Sequence, residues 1–115
     1  MARLHSLLLV ACLLTSAMAR GAAPAGGQAA PTAERGQAIY AARCAACHGE
    51  RMEGIEDAPP LIGARFDSHW RGRPAALLDK IRRSMPQDDP GSLSPAEAEV
   101  IVAAILEANP APAGR

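Results

Sequence analysis

Apolar positions recur at helical spacing in three segments of the chain, and no segment alternates between apolar and polar residues as a half-buried strand does. The clearest segment lies near the C-terminus. Its start, Ser94-Pro95-Ala96-Glu97, has the form of a capping box with proline at the first helical position, and Asn109-Pro110 marks its end. Between these signals an apolar stripe is formed by Val100, Ile101, Ala104 and Ile105.

Two further helices are predicted upstream. The segment "PAALLDKIRRS" has Pro74 in its first turn and stops before Pro86, and its inward side is formed by Leu77, Leu78 and Ile81. The segment "AERGQAIYAARC" follows Thr32, which we expect to be its N-cap. Between them, residues 49–70 show no sustained period and contain several glycines and prolines, which predicts a long loop. The expected fold class is therefore all-α, with three main helices joined by long loops.

The first residues are typical of an export signal. Arg3 and His5 precede an apolar run from Leu7 to Leu14, and Ala17-Met18-Ala19 is a small-x-small cleavage site. The apolar run is too short for a transmembrane helix, which needs about 20 residues. We expect a signal peptide at 1–19 that takes Cys12 with it, a flexible lead-in at 20–31, one domain at 32–109 and a tail at 110–115.

Composition limits what this domain can be. With one Phe, one Tyr and one Trp in 115 residues, a core built from protein alone would be marginal, and a large apolar prosthetic group would fill it. The formal net charge is zero, so that no nucleic-acid partner is indicated. The charges are nevertheless uneven: residues 64–83 carry six basic and two acidic side chains, whereas residues 84–115 carry five acidic and one basic.

The candidate chemistry lies in "AARCAACHGE", where Cys44, Cys47 and His48 share one face of a helical turn. C-x-x-C-H is the attachment signature of c-type haem, in which two thiols add to the vinyl groups and the adjacent imidazole binds the iron. Three alternatives compete. A thioredoxin-like pair would follow a strand, a structural zinc site would need a further ligand at suitable spacing, and a plain disulfide would give no reason for His48.

The ligand at the sixth position of the iron determines whether a haem protein carries electrons or binds gases. Met85 is the best candidate, because 37 residues separate it from His48 and Pro86 fixes an extended loop that could aim the thioether inward. Met52 follows His48 too closely to reach the opposite face of the haem, and we expect it to fill space instead. His69 is a weaker candidate for a second histidine ligand.

With "CAACHG", "APPLIG", "MP" and a capped final helix in this order, residues 33–109 resemble the class I, or mitochondrial-type, c cytochromes, and in particular small bacterial periplasmic carriers. The resemblance implies that Cys44 and Cys47 form the thioethers and that His48 and Met85 bind the iron. It also implies that a proline carbonyl accepts the Nδ1 proton of His48, from Pro59 or, failing that, from Pro60.

The same resemblance suggests roles for other positions. Trp70 corresponds to a tryptophan beside the haem propionates, which Arg65 could also reach. Gly36 and Tyr40 correspond to a glycine and an aromatic of the first helix, where the missing side chain lets the last helix cross closely. The aromatic usual in the last helix is replaced here by a small residue, Ala104, so that the chain departs from the family pattern at this crossing.

The function implied is that of a periplasmic mono-haem cytochrome that carries single electrons and transforms no substrate. Its partners would be a dehydrogenase as donor and an oxidase or another cytochrome as acceptor, and Lys80, Arg82 and Arg83 would form a basic rim for an acidic partner. Two other hypotheses remain open. The chain could be the haem subunit of a larger, quinoprotein-type dehydrogenase, or a haem sensor or peroxidase-like module with an open sixth site.

Overall fold

The computed structural model describes residues 29–113, with residues 29–31 described through their backbone alone. Five helices follow one another: α1 (Ala29–Arg43), α2 (Ala45–His48), α3 (Gly63–Trp70), α4 (Pro74–Ser84) and α5 (Pro95–Ala108). No strand occurs among the described residues, which confirms the all-α class. The predicted signal peptide, Cys12 and most of the predicted lead-in lie outside the described residues.

The predicted helices form, with two corrections. Helix α1 begins at Ala29, three residues before the expected cap Thr32. Pro31 is compatible with this earlier start, because a proline in the first turn lacks only an N–H that has no partner within the helix. In addition, the segment predicted as one long loop contains α3, and α2 forms a separate short turn beside the three predicted main helices.

Helix α3 was missed because it has no local start signal. Its N-cap, Ile62, makes no side-chain hydrogen bond, and Gly63 has φ +77, a left-handed conformation that favours glycine. Instead, the side chain of Asn109, 46 residues further along the chain, accepts the Gly63 N–H at 3.1 Å. A cap supplied from the far end of α5 leaves no trace in the sequence around residue 63.

Helix α5 lies between α1 and α4, since both helices pack on it, whereas α2 contacts α1 and α3 contacts α4. The predicted capping box is present: the Glu97 N–H donates to Ser94 Oγ at 3.2 Å, and the Ser94 N–H donates to Glu97 Oε2 at 2.8 Å. The core joins α5 to the remaining helices and consists of Tyr40, Met52, Phe66, Leu77, Ile81, Leu93, Ala98, Ile101, Val102 and Ile105. Met52 is thus a core residue, as expected.

The crossing of α1 and α5 depends on Gly36. A Cβ atom added there would lie 1.8 Å from the Val100 carbonyl oxygen and 3.0 Å from the Cβ of Ala104. The helices therefore meet backbone to backbone at this point, and the expected close crossing at Gly36 is confirmed. Ala104 is fully buried, and a larger side chain at this position would press against α1.

None of the helices in the described part of the chain has the length and apolar character needed to cross a bilayer.

Candidate functional site

The segment from Cys44 to His48 forms a helical turn that almost continues α1. The Cys44 N–H still donates to the Tyr40 carbonyl at 2.8 Å, and the His48 N–H donates to the Cys44 carbonyl at 2.9 Å. The backbone departs from helical geometry only at Cys44, where φ is −122 and ψ is −35. Both thiols are free, Cys47 being exposed and Cys44 half-buried. Burial raises the pKa of the Cys44 thiol, although the positive charge of Arg43 opposes this effect.

His48 is buried, with 8% of its surface exposed, and its ring orientation is set by one hydrogen bond. Nδ1 lies 2.8 Å from the Pro59 carbonyl oxygen. Because a carbonyl oxygen can only accept, Nδ1 must carry the proton, and in the neutral ring Nε2 then carries the lone pair. This is the arrangement that orients a metal-binding imidazole and raises its basicity. The contact is made by Pro59, not by Pro60.

The loop between His48 and Pro59 folds back so that the proline reaches the imidazole. The Gly54 N–H donates to the His48 carbonyl at 2.7 Å, and the Leu61 N–H donates to the Met52 carbonyl at 2.8 Å. Gly54 has φ +80, and a Cβ there would lie 2.8 Å from both the Ala58 carbonyl oxygen and the Pro60 nitrogen. Only glycine fits this turn, which places Pro59 beside His48.

Tyr40 fastens this loop to α1. Its hydroxyl donates to the Gly49 carbonyl at 2.6 Å, directly after the C-x-x-C-H turn. Burial, followed by the nearby Cys44 and Glu53, raises the pKa of Tyr40 to about 12, so the hydroxyl stays protonated and able to donate. The helical spacing predicted that Tyr40 is buried, but no local pattern indicated this hydrogen bond.

Met85 lies on a different element, directly after α4. It is half-buried, its backbone is extended (φ −122, ψ 145), and its N–H donates to the Ile81 carbonyl at 3.1 Å. Pro86, which follows, is buried. The helix thus ends where predicted, but the extended loop expected after Pro86 is not observed: turns follow Met85, and the Asp89 N–H donates to the Pro86 carbonyl at 3.1 Å. Its role as an iron ligand remains a prediction.

Arg43 connects this segment to the C-x-x-C-H turn. It is the residue before Cys44, and its guanidinium donates to Ser92 Oγ at 2.6 Å and lies 3.9 Å from a carboxylate oxygen of Asp89. The segment that follows Met85 is therefore held against the end of α1. The sequence contained no signal for this contact, because 49 residues separate Arg43 from Ser92.

Pro59 and Trp70 line one cleft, together with Pro60, Leu61, Arg65 and His69. Trp70 is half-buried and packs against the core, while Arg65 is exposed. Arg65 and Trp70, the two residues that we expected near the propionates, are thus neighbours. His69 shares this cleft with Pro59.

The structure also bears on the alternatives to haem. No strand precedes Cys44 in the described chain, since α1 leads directly into the turn. The two thiols are not joined in a disulfide. Among the described residues, no group of three His, Cys, Asp or Glu side chains is placed to hold a metal ion. A pair of free thiols beside a buried, oriented imidazole fits covalent attachment of haem.

One hydroxyl and imidazole pair was not expected. Ser68 Oγ lies 3.0 Å from His69 Nδ1, on the exposed side of α3. The Ser68 hydroxyl donates to the Arg65 carbonyl at 2.8 Å, and this hydrogen bond back to the preceding turn is common for serine within helices. Because that proton is already donated to the backbone, the geometry does not make His69 a base for Ser68.

Comparisons with known proteins agree with this geometry. The family model described as cytochrome c oxidase, cbb3-type, subunit III matches residues 31–103. A thiosulfate dehydrogenase of Allochromatium vinosum is 37% identical over 84 residues, which cover 66% of this chain and 31% of that protein. The crystal structure of the sulfane dehydrogenase SoxCD from Paracoccus pantotrophus superposes with a TM-score of 0.57 at 27% identity, and the match covers 66% of this chain and 42% of that one. The chain thus spans less than half of either relative.

Proposed function

Since this chain belongs to the cytochrome c family described as cbb3-type cytochrome c oxidase subunit III, and is a class I-type cytochrome with covalently bound haem c, we propose that it is a periplasmic mono-haem electron carrier. It takes single electrons from one redox protein and passes them to another. The observation that carries the proposal is the hydrogen bond from His48 Nδ1 to the Pro59 carbonyl, which leaves Nε2 as the nitrogen that can bind iron.

Each site residue has a defined task in this proposal. The thiols of Cys44 and Cys47 hold the haem as thioethers, and His48 binds the iron on one side. Met85, which is half-buried and directly follows α4, would bind the iron as its second protein ligand. His69 is less suitable, because its side chain is exposed on α3 and its Nδ1 lies 3.0 Å from the Arg65 carbonyl oxygen of the same helix. Trp70 and Arg65, which line one cleft, would bind the propionates.

The haem supplies the one-electron chemistry, and the protein controls it. Pro59 keeps the His48 ring in one tautomer and orientation, and the neutral thioether of Met85 favours the reduced iron. Tyr40 and Arg43 hold the segments on either side of the site in place. Two permanent axial ligands leave no position for a substrate, so we infer that the chain is not an enzyme by itself. Its partners are a dehydrogenase as donor and an oxidase or another cytochrome as acceptor.

The test of this proposal compares two methionines. The full chain is expressed with a haem-maturation system, and absorption spectra of the oxidised and reduced forms are recorded for the wild type, Met85→Leu and Met52→Leu. We expect a covalent haem with the weak far-red band of methionine-ligated ferric iron in the wild type and in Met52→Leu. Met85→Leu should lose that band completely and bind carbon monoxide, because leucine has no donor atom.

Two results would contradict the proposal. A wild-type spectrum that is high-spin and unaffected by Met85→Leu would favour the haem sensor or peroxidase-like module with an open sixth site. Loss of the far-red band in Met52→Leu, but not in Met85→Leu, would show that Met52 binds the iron and that Met85 does not.

The docking face for an acidic partner follows from the charges beside Met85. On α4, Arg83 is paired with Asp79 at 2.8 Å, whereas Lys80 and Arg82 are exposed and form no ion pair with another described residue. Two uncompensated positive charges near an exposed haem edge would attract an anionic partner and raise the rate of encounter. Such attraction is screened at physiological salt over about 8 Å.

We expect reversal of these two charges, Lys80→Glu with Arg82→Glu, to slow electron transfer to an anionic acceptor such as hexacyanoferrate(III) by about tenfold at low ionic strength. The rate of the wild type should fall as salt is added. Arg35→Glu, an exposed position on α1, controls for a change in charge elsewhere. In stopped-flow measurements with a cationic acceptor, hexaammineruthenium(III), the same charge reversal should raise the rate of electron transfer. Rates that change neither with salt nor with these substitutions would contradict the proposed docking face.

A second candidate function is supported by the relatives. Two similar proteins carry dehydrogenase names, and this chain spans less than half of each. The chain could therefore be the haem subunit of a larger dehydrogenase. Size-exclusion chromatography of the protein from its native source decides between the two: a free carrier elutes near its own mass, whereas a permanent subunit stays with a larger polypeptide through a high-salt wash.

A further inference from the structure

Asn109, the residue that ends α5, makes three side-chain hydrogen bonds. Its Nδ2 donates to the Ile105 carbonyl and to the Leu61 carbonyl, both at 2.8 Å. Its Oδ1 accepts the Gly63 N–H at 3.1 Å. Only the bond to Ile105 lies within α5. The other two reach across to the Pro59 loop and to the first residue of α3, and the amide is thus satisfied by three separate backbone groups.

The segment that Asn109 holds leads directly to the carbonyl beside His48. Both backbone groups of Leu61 are hydrogen-bonded: its N–H donates to the Met52 carbonyl, and its carbonyl accepts from Asn109 Nδ2. Leu61 is separated from Pro59 only by Pro60, and the ring of a proline removes the freedom of φ. The position of the Pro59 carbonyl is therefore coupled to Leu61 through one stiff residue, Pro60.

His48 bonds to the Pro59 carbonyl of this segment, and the Asn109 side chain bonds to Leu61 and Gly63, so that Asn109 connects residues 59–63 to the end of α5. Without it, the Gly63 N–H and the Leu61 carbonyl would lose their partners. The loop would then be held by the Met52 contact and by packing of Leu61 and Ile62 on the core. The distance between the Pro59 carbonyl oxygen and His48 Nδ1 would then vary more.

We propose that Asn109 is a positioning residue for the haem: by fixing the Leu61–Gly63 backbone, it holds the Pro59 carbonyl against His48 Nδ1 and so lowers the reduction potential. The proposal rests on the proposed function, in which His48 binds the iron. A firm hydrogen bond at Nδ1 makes the imidazole a stronger donor and favours the ferric state. Loosening it should therefore favour the ferrous state and raise the potential.

The test uses Asn109→Leu, which keeps the branched shape of the side chain and its lack of charge but removes all three hydrogen bonds. Leu106→Ala is the control, since Leu106 is an exposed residue in the same last turn. We expect the potential, measured by redox titration, to rise in Asn109→Leu and to stay unchanged in Leu106→Ala. In NMR spectra of the reduced protein, the exchange of the Gly63 amide and of the His48 Nδ1 proton with solvent should become faster only in Asn109→Leu.

The outcomes separate this proposal from the proposed function. A wild type without covalent haem, or without a reversible one-electron couple, would overturn the proposed function. A normal wild type, together with an Asn109→Leu variant that loses thermal stability but keeps the potential and the slow exchange at His48 Nδ1, would show that Asn109 only caps α5 and α3. Asn109→Ala repeats the measurement with a smaller side chain. The proposal requires that the reduction potential rises in this variant as well.

Discussion

Replacing both Cys44 and Cys47 by serine should abolish covalent haem attachment completely. Serine has nearly the same shape as cysteine, but its hydroxyl does not form the thioether by which a vinyl group is held. Both thiols are free in the structure and lie three residues apart on one helical turn, so each can bind one vinyl group. In acidified organic solvent, the haem of the wild type should stay with the protein, whereas none should remain with the double variant.

The third cysteine of the chain provides the control. Cys12 lies within the predicted signal peptide, so Cys12→Ser should leave the yield of covalent haem unchanged. Each single variant, Cys44→Ser or Cys47→Ser, should retain one thioether and a shifted absorption spectrum. Covalent haem in the double variant would contradict the assignment, as would a loss of haem caused by Cys12→Ser alone.

The second large effect is expected at Gly36, in the middle of α1. In an unhindered helix, alanine in place of glycine stabilises by about 1 kcal/mol. Here the added Cβ would lie 1.8 Å from the Val100 carbonyl oxygen and 2.5 Å from its carbon. These are backbone atoms of α5, which cannot turn aside as a side chain can. Gly36→Ala should therefore destabilise the protein by about 3 kcal/mol or more, a large part of the stability of a small domain.

Chemical denaturation of the haem-loaded protein, followed by circular dichroism, measures this change. Ala41→Val, on the exposed side of the same helix, is the matched control, because it adds bulk where α5 is not in the way. We expect it to cost well under 1 kcal/mol. An unchanged or increased stability of Gly36→Ala would show that α1 and α5 do not cross at this position.

Local signals were sufficient where a residue and its partner lie within a few positions of each other. The capping box of α5 requires only Ser94 and Glu97, and it forms as predicted. The C-x-x-C-H turn likewise needs only five consecutive residues, so its chemistry could be predicted before the fold was known. The end of α4 at Ser84 followed from Pro86, which cannot continue a helix.

Local signals failed where the partner is distant. Helix α3 was predicted as a loop, since its first N–H is capped by Asn109 instead of by a neighbour. The link between Arg43 and Ser92 spans 49 residues and could not be inferred from either sequence neighbourhood. The Pro59 partner of His48 was expected only from the resemblance to class I cytochromes, because nothing in the spacing distinguishes Pro59 from Pro60.

The amino-acid sequence by itself determined the chemistry of this protein: two thiols and an imidazole on one helical turn, three of the helices, and the glycine at which α1 and α5 cross. The tertiary structure decided how that chemistry is oriented. It selected Pro59 as the partner of His48, used Asn109 to hold the Pro59 loop, and placed the segment after Met85 against Arg43. The physical reason is that a backbone N–H or carbonyl can pair with any suitable partner, and only the folded chain determines which partner lies within hydrogen-bonding distance.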